Sequence, residues 1–209
     1  MPDRHFYQKH IWCIFLLVNI AVFSQNNSDK FYKIGFSYGS GTNDNILFND
    51  EDYSYKVDYY KFKFFYPLKQ GKTSFDLLIQ PEYNHAKHEL LNFYFVYTDE
   101  EREEFMQERR INQYVLSVSF VVRREVFDFL DAYAQLSVGP EYIDRHSERL
   151  AKGLAFADEL AIGLSFKTFK NLRIDIQPSF RHVSNANLQK PNSGYNSLNI
   201  ETGLTYTFR

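Results

Sequence analysis

The chain has 209 residues, and its 24 Lys and Arg residues nearly balance its 26 Asp and Glu residues, for a formal net charge of −2. This balance argues against a nucleic-acid partner, which requires a concentrated basic surface. Tyr and Phe are abundant, at 16 and 21 residues against a single Trp. So many rings in a chain of mixed polarity are typical of alternating strands with aromatic girdles, and the length favours one domain.

The first residues differ in composition from the rest of the chain. Arg4 and Lys9 precede an apolar run that ends at Phe23. This run is shorter than the roughly 20 residues of a membrane-spanning helix and is typical of a secretory signal peptide. We therefore expect residues 1–24 to be a cleaved signal peptide and residues 25–209 to be a single exported domain. The only cysteine lies in the first segment, so the mature domain would contain no disulfide.

Eight segments of the mature chain alternate apolar and polar residues with the period of two that is typical of β-strands. The predicted strands cover residues 32–38, 53–66, 75–84, 114–123, 132–142, 159–166, 172–184 and 198–208. The connections alternate between long and short, beginning with a long one. This pattern predicts an all-β fold, an eight-stranded antiparallel transmembrane β-barrel of the outer-membrane type, with short periplasmic turns and long outer loops.

A soluble lipocalin-like barrel has similar alternation. Three features favour the membrane: the small polar residues of one face suit a narrow packed lumen, the predicted signal peptide exports the chain, and the Tyr206 to Phe208 segment resembles the closing strand of bacterial outer-membrane proteins. We therefore expect a bacterial outer-membrane protein in which Leu198, Leu204 and Phe208 face lipid.

Two local features interrupt the strand pattern. The adjacent Tyr59 and Tyr60 predict a β-bulge, where the alternation of the second strand changes phase. Pro81, Pro140 and Pro178 occur in similar short segments of the third, fifth and seventh strands. Because proline cannot donate a hydrogen bond to a neighbouring strand, we expect these three residues to mark the extracellular rim.

Charged residues on the polar face are expected to fill the lumen. Three acids, Glu82, Glu141 and Glu159, have this phase, and we expect them to pair with arginines of the same face, namely Arg123, Arg173 and Arg181. His85 and His88 follow the third predicted strand. Because no third ligand is evident near them, we interpret them as surface loop histidines and expect no metal site.

The second long loop has the pattern of a short helix. Thr98 followed by Glu101 forms a capping box, and acids come before basic residues along residues 99–110. This segment is therefore predicted to be a helix. Its charged residues are interpreted first as a solvated surface.

A histidine and a serine lie two residues apart at the end of the seventh predicted strand. His182 and Ser184 share the apolar face with Phe180. Same-face neighbours on a strand lie roughly 7 Å apart at the backbone, a gap that an imidazole reaching toward a hydroxyl closes. A nucleophile and its general base could therefore come from one strand. In a soluble sheet, the same two residues would more often form a hydrogen-bonded pair in the core.

The surrounding residues add a more specific signal. His182 and Ser184 are followed by Asn185 and Ala186, and then by a Pro-Asn-Ser-Gly sequence over residues 191–194. This segment resembles the His-x-Ser-Asn-Ala and Pro-Asn-x-Gly signature of the lipid A 3-O-deacylase (PagL-type) family, which includes acyloxyacyl hydrolase-like proteins. The resemblance implies an eight-stranded barrel and an esterase that releases an ester-linked acyl chain from lipid A. It implies no cofactor.

The resemblance also implies roles for individual residues. Ser184 would be the nucleophile and His182 the general base. Asn192, with Asn185 or a nearby backbone amide, would stabilise the oxyanion, and Gly194 completes the motif. Phe180 would contact the acyl chain of the lipopolysaccharide substrate, with the site toward the outer leaflet.

One position departs from the family pattern. The family's acid lies twelve residues after the serine, where this chain has Asn196. An amide oxygen orients an imidazole but carries no negative charge. Glu201, the nearest downstream carboxylate, has the phase of a lumen residue.

Two further interpretations remain open. The chain could be a non-catalytic structural or adhesive barrel in which Asn196 reports a degenerate site. Arg109 and Arg110 could contact lipopolysaccharide phosphates, directly or with divalent ions that the acids of the loop bridge. The sequence does not define the oligomeric state.

Overall fold

The computed structural model describes residues 32–44 and 50–208, which form a closed antiparallel barrel. Each strand pairs with its sequence neighbours, and the last pairs with the first. The strands are β1 (Lys33–Thr42), β2 (Tyr53–Lys69), β3 (Thr73–Leu90), β4 (Arg109–Phe127), β5 (Leu130–Ile143), β6 (Gly153–Lys167), β7 (Leu172–Ser184) and β8 (Tyr195–Thr207). The predicted fold is therefore confirmed. The predicted signal peptide lies outside the described residues.

The alternation of the strands separates an apolar exterior from a polar interior. On the exterior, Phe62, Ile162 and Leu204 are 56%, 64% and 51% exposed. A continuous apolar belt of this kind requires lipid around it. As predicted, Leu204 and Phe208 are exposed on this face, and Leu198 lies on it partly buried. Among the described residues, no helix is long and apolar enough to span a membrane.

The bulge predicted at Tyr59 and Tyr60 is wrong. Tyr59 pairs with Asn84 and Tyr60 with Tyr83 in regular register, and the register of β2 with β3 shifts only between Pro67 and Lys69. Tyr60 faces outward, while Tyr59 is fully buried in the lumen. The lumen accommodates this ring because Gly39 of β1 has no side chain, and a Cβ there would overlap the ring of Tyr59.

The prolines do not mark a rim. Pro81 and Pro178 lie inside strands that continue to Leu90 and Ser184. Each of the three prolines instead coincides with a gap in pairing on one side. For example, the pairing of β2 with β3 stops at Lys61 with Glu82 and resumes at Phe64 with Ile79. A missing N–H donor therefore removes pairing with one neighbouring strand, while the other ladder continues through the proline.

The loop end of the barrel differs from two sequence-based expectations. His85 and His88 belong to β3 rather than to a loop. His88 is fully buried, and its Nε2 lies 2.7 Å from a carboxylate oxygen of Glu148. The predicted helix, α1, spans only Asp99–Phe105, although Thr98 Oγ1 accepts the predicted capping hydrogen bond from the Glu101 amide at 3.1 Å.

The two arginines expected at the end of this helix are the first residues of β4. Arg109 Nη1 donates to the carbonyl oxygen of His146 at 3.1 Å and to Glu104 at 3.2 Å. The side chain of Arg110 lies on the outer face and is exposed. Arg109 therefore connects loops within the protein.

A buried ion-pair network fills the middle of the lumen. Arg181 lies 2.5 Å from Glu82 and 2.9 Å from Glu159, which confirms these two predicted pairs. Lys61 lies 2.9 Å from Glu159 and 3.0 Å from Glu201, so Glu201 faces the lumen as expected. Lys63 also contacts Glu201. These six side chains, three basic and three acidic, thus compensate one another across the lumen.

The other predicted ion pairs are wrong. Arg173 lies 2.8 Å from Asp131, and Arg123 lies 3.8 Å from the same carboxylate. Both contacts are near the short-turn end of the barrel. Within the described residues, the buried carboxylate of Glu141 has no hydrogen-bond partner.

Replacing Arg181 with Met should strongly destabilise the barrel. The change removes the nearest counter-charge of Glu82 and one of the two that contact Glu159 in a buried site. Breaking such a pair typically costs about 3–5 kcal/mol. Urea unfolding in lipid vesicles would measure the change in the free energy of unfolding. Arg145→Met, at an exposed loop position, is the control. An equal free energy of unfolding for Arg181→Met and wild type would contradict the role assigned to the network.

Candidate active site

His182 and Asn196 are direct partners in the pairing of β7 with β8. His182 Nδ1 lies 2.7 Å from Asn196 Oδ1. An amide oxygen only accepts hydrogen bonds, so this contact places the ring proton on Nδ1 and leaves Nε2 able to take a proton. Both side chains are partly buried on the outer face. Asn196 therefore occupies the position from which an acid would orient the ring.

Ser184 follows His182 on the same outward face, at the last residue of β7. It is partly buried and lies opposite Phe156 of β6. The backbone of Gly194 lies beside both side chains. A Cβ on Gly194 would be 3.4 Å from His182 Cε1 and 3.6 Å from Ser184 Cβ.

Glycine is required at position 194 for two reasons. Its φ of +72° lies in the left-handed region, which other residues rarely adopt. In addition, a Cβ would lie 2.5 Å from the carbonyl oxygen of Val183. The motif glycine thus brings the chain close to the histidine and serine.

Asn185 and Asn192 stabilise the loop that follows Ser184. The backbone amide of Asn185 donates to Asn192 Oδ1 at 2.7 Å. Asn185 Nδ2 donates to the carbonyl oxygens of Gln189 and Pro191 at 3.0 and 3.2 Å. The side chain of Asn185 is therefore engaged within the loop. Within the described residues, Asn192 Nδ2 makes one hydrogen bond, a long one of 3.3 Å to Asn187 Oδ1. This amide group is therefore available to a substrate.

An apolar track leads from these residues along the outer face of the barrel. Phe180 precedes His182 on this face and lies between Leu160 of β6 and Leu198 of β8. Beyond Leu198, a groove of about 660 Å³ runs over the small residues at the end of β1, and its lining also includes charged residues such as Asp58 and Lys87. An alkyl chain would fit along the apolar surface of Leu160, Phe180 and Leu198.

A second loop holds the segment that contains Gly194. The carbonyl oxygen of Arg149 accepts hydrogen bonds from the amides of Ser193 and Gly194 at 2.7 and 3.2 Å. In return, Arg149 Nε donates to the carbonyl oxygen of Gly194 at 2.9 Å. The guanidinium lies 4.0 Å from the ring centroid of Tyr53. The hydroxyl of Tyr53 is in turn 3.5 Å from the Asn196 amide.

Further contacts extend this arrangement on both sides of Arg149. The amide of Ala151 donates to the carbonyl oxygen of Pro191 at 3.1 Å, and Leu150 forms a bridge with Asn192. The hydroxyl of Ser147 is hydrogen-bonded to that of Tyr195. We call residues 147–151 the brace. Sequence reasoning missed the brace because the loop has no periodicity and its partners are about 45 residues away in the chain.

The described residues contain no group of three or more His, Cys, Asp or Glu side chains placed to hold a metal ion. Glu201 points into the lumen toward Lys61 and Lys63 and is on the other side of the barrel wall from His182. The site thus consists of a serine, an oriented histidine and amide groups.

The sequence profile of the family described as "Lipid A 3-O-deacylase (PagL)" matches residues 32–205. No curated protein matches the chain. The crystal structure of the outer membrane enzyme PagL has 14% identity and a TM-score of 0.56, over 82% of this chain and 97% of that one. Neisserial surface protein A has 10% identity and a TM-score of 0.47, over 87% and 100%. At these identities, the first likeness supports the barrel fold alone.

Replacing Arg149 with Ala should loosen the segment around Gly194. The change removes a charge-assisted hydrogen bond to the Gly194 carbonyl, so we expect the amides of Ser193 and Gly194 to exchange with solvent about tenfold faster or more. Hydrogen exchange in detergent micelles measures this directly. Arg145→Ala, in the same loop, is the control. Equal exchange rates in both variants would show that the arginine side chain does not hold this segment.

Proposed function

Because the chain belongs to the lipid A 3-O-deacylase (PagL) family, we propose that it is an outer-membrane serine esterase that removes an ester-linked acyl chain from lipid A. The observation that carries this proposal is the hydrogen bond of 2.7 Å from His182 Nδ1 to Asn196 Oδ1, next to Ser184 on the outer face. This hydrogen bond supports the tautomer of His182 that carries its proton on Nδ1, which leaves Nε2 able to act as the general base.

In the proposed reaction, Ser184 Oγ attacks the ester carbonyl and its proton passes to His182 Nε2. The tetrahedral intermediate collapses as the alcohol leaves with that proton, and the acyl chain remains on the serine as an ester. Water then attacks this acyl-enzyme and gives its proton to His182. The fatty acid leaves and Ser184 regains its proton, so the reaction consumes one water and needs no cofactor.

Groups near Ser184 support the other requirements of the reaction. Asn192 Nδ2 is the proposed side-chain donor to the oxyanion, because its present contact at 3.3 Å is long. Asn185 would act indirectly, by fixing Asn192 through its backbone amide. Phe180 and the apolar side chains on either side of it, Leu160 and Leu198, would hold the acyl chain.

The position of the site supports lipopolysaccharide as the substrate. Ser184 lies at the end of the barrel that carries the long loops, which are extracellular in outer-membrane barrels. Its side chain faces outward, toward lipid rather than into the lumen. The site would therefore meet the outer leaflet, where an ester within a lipid A molecule could reach it without leaving the membrane.

Ser184→Ala should abolish deacylation, because it removes the nucleophile while leaving His182 and its hydrogen bond in place. Lipid A from cells that express the variant or the wild type would be compared by mass spectrometry. Heat-modifiable migration would confirm that both barrels are folded. Identical lipid A in the two strains would reject the esterase. It would favour the alternative of a non-catalytic barrel in which Asn196 marks a degenerate site.

Asn196→Glu should raise the deacylation rate. The glutamate can still accept the His182 Nδ1 proton and adds a negative charge as the ring becomes positive. Loss of a triad acid costs on the order of 10⁴ in turnover when the tautomer is also wrong, so restoring only the charge should gain about tenfold or more.

Asn196→Ala tests the same contact in the opposite direction and should lower the rate, since the ring loses its acceptor. The turnover of both variants would be measured on purified lipid A. Unchanged turnover in both would show that another group orients His182, while leaving the role of Ser184 intact.

A further inference from the structure

An acidic residue faces His182 from the strand on the side opposite Asn196. Asp158 of β6 is the direct partner of His182 in the pairing of β6 with β7. Its side chain is on the outer face and exposed. Direct cross-strand neighbours on one face have Cβ atoms about 4.5–5.5 Å apart. His182 thus lies in a row of three outward-facing residues, with a carboxylate on one side and an amide on the other.

The surroundings of Asp158 give no structural reason for a charge. Its other cross-strand partner is Val138, and the next outward residue of its own strand is Leu160. Over the described part of the chain, its carboxylate makes no hydrogen bond or ion pair. Asp58, another acid on the outer face, accepts a hydrogen bond from the Tyr38 hydroxyl at 2.8 Å. A charge on the lipid-facing surface destabilises a barrel in a depth-dependent way, so an unpaired acid directly beside His182 points to a role at this site.

We propose that Asp158 supplies the negative charge that stabilises protonated His182, in place of the acid that is absent at position 196. This inference rests on the proposed esterase function. Asn196 would fix the tautomer through Nδ1, and Asp158 would act through space on the ring when Nε2 takes the serine proton. Asp158 exchanges no proton in this scheme: protons move between Ser184, His182, the leaving alcohol and the attacking water. Asp158 is thus a positioning residue that acts through His182.

The location makes this interaction effective. The apolar outer face and surrounding lipid lower the local dielectric, so a carboxylate a few ångströms from an imidazolium interacts more strongly than it would in water. The interaction also grows as the transition state forms, because His182 carries charge only then. It should therefore affect turnover more than substrate binding.

Asp158→Asn removes the charge and keeps the size of the side chain. We expect kcat on purified lipid A to fall about tenfold while KM stays within about twofold. Asp158→Glu, which restores a carboxylate, should retain most of the activity. Glu89→Gln is the matched control, an outer-face acid of β3 away from the proposed site, and should leave kcat unchanged. Heat-modifiable migration verifies the fold of each variant.

A double-mutant cycle tests whether the two positions serve the same ring. Asn196→Glu should raise kcat by a larger factor in the Asp158→Asn background than in the wild type. In the wild type, the carboxylate of Asp158 already stabilises the protonated ring, so a second negative charge adds less. An equal factor in both backgrounds would overturn the inference. So would an unchanged kcat in Asp158→Asn, or a change confined to KM, which would indicate a contact with the lipid headgroup.

The Ser184→Ala variant distinguishes an error in the role of Asp158 from an error in the proposed esterase function. If it is inactive while Asp158→Asn retains full turnover, the esterase stands and the role of Asp158 is wrong. If Ser184→Ala retains activity, the proposed function itself is wrong, and with it the role of Asp158.

Discussion

The closed hydrogen-bonded wall is the constraint on which the rest of the structure depends. A backbone in lipid has no water to satisfy its polar groups, so every strand must pair on both sides. Pairing fixes the register, and the register determines which side chains meet. Here it aligns Asp158, His182 and Asn196 on three neighbouring strands. The candidate site is thus a row across the wall, in which each member is placed by backbone bonds rather than by a pocket of its own.

The same constraint shapes the interior. Eight strands enclose a space narrow enough for side chains to fill, so inward positions must fit one another in both volume and charge. Volume is balanced by glycines opposite large rings, as at Gly39 beside Tyr59 and Gly163 beside Tyr133. Charge is balanced by the network around Arg181. The filled lumen leaves the outer face and the loops as the surfaces where chemistry with lipid takes place.

The period of two explains which features could be predicted from the sequence. Alternation alone identifies the strands, the lumen acids and the outward position of His182 and Ser184, because each depends only on parity. It does not define how far a strand continues, so it does not reveal that β3 extends through His88. Alternation also cannot identify cross-strand neighbours. The position of Asp158 next to His182 follows only from the register of β6 with β7. In β2, tyrosines and lysines share the inward face, so parity alone does not identify Lys61 as a lumen residue.

The brace and residues 191–195 depend on each other structurally. Residues 147–151 and 191–195 come from different loops, yet they share backbone hydrogen bonds, an arginine and a pair of hydroxyls. Exchanging either loop alone with that of a related barrel would leave the other with unmatched partners. In protein engineering, the two loops therefore form a single cassette, to be transplanted together or left in place.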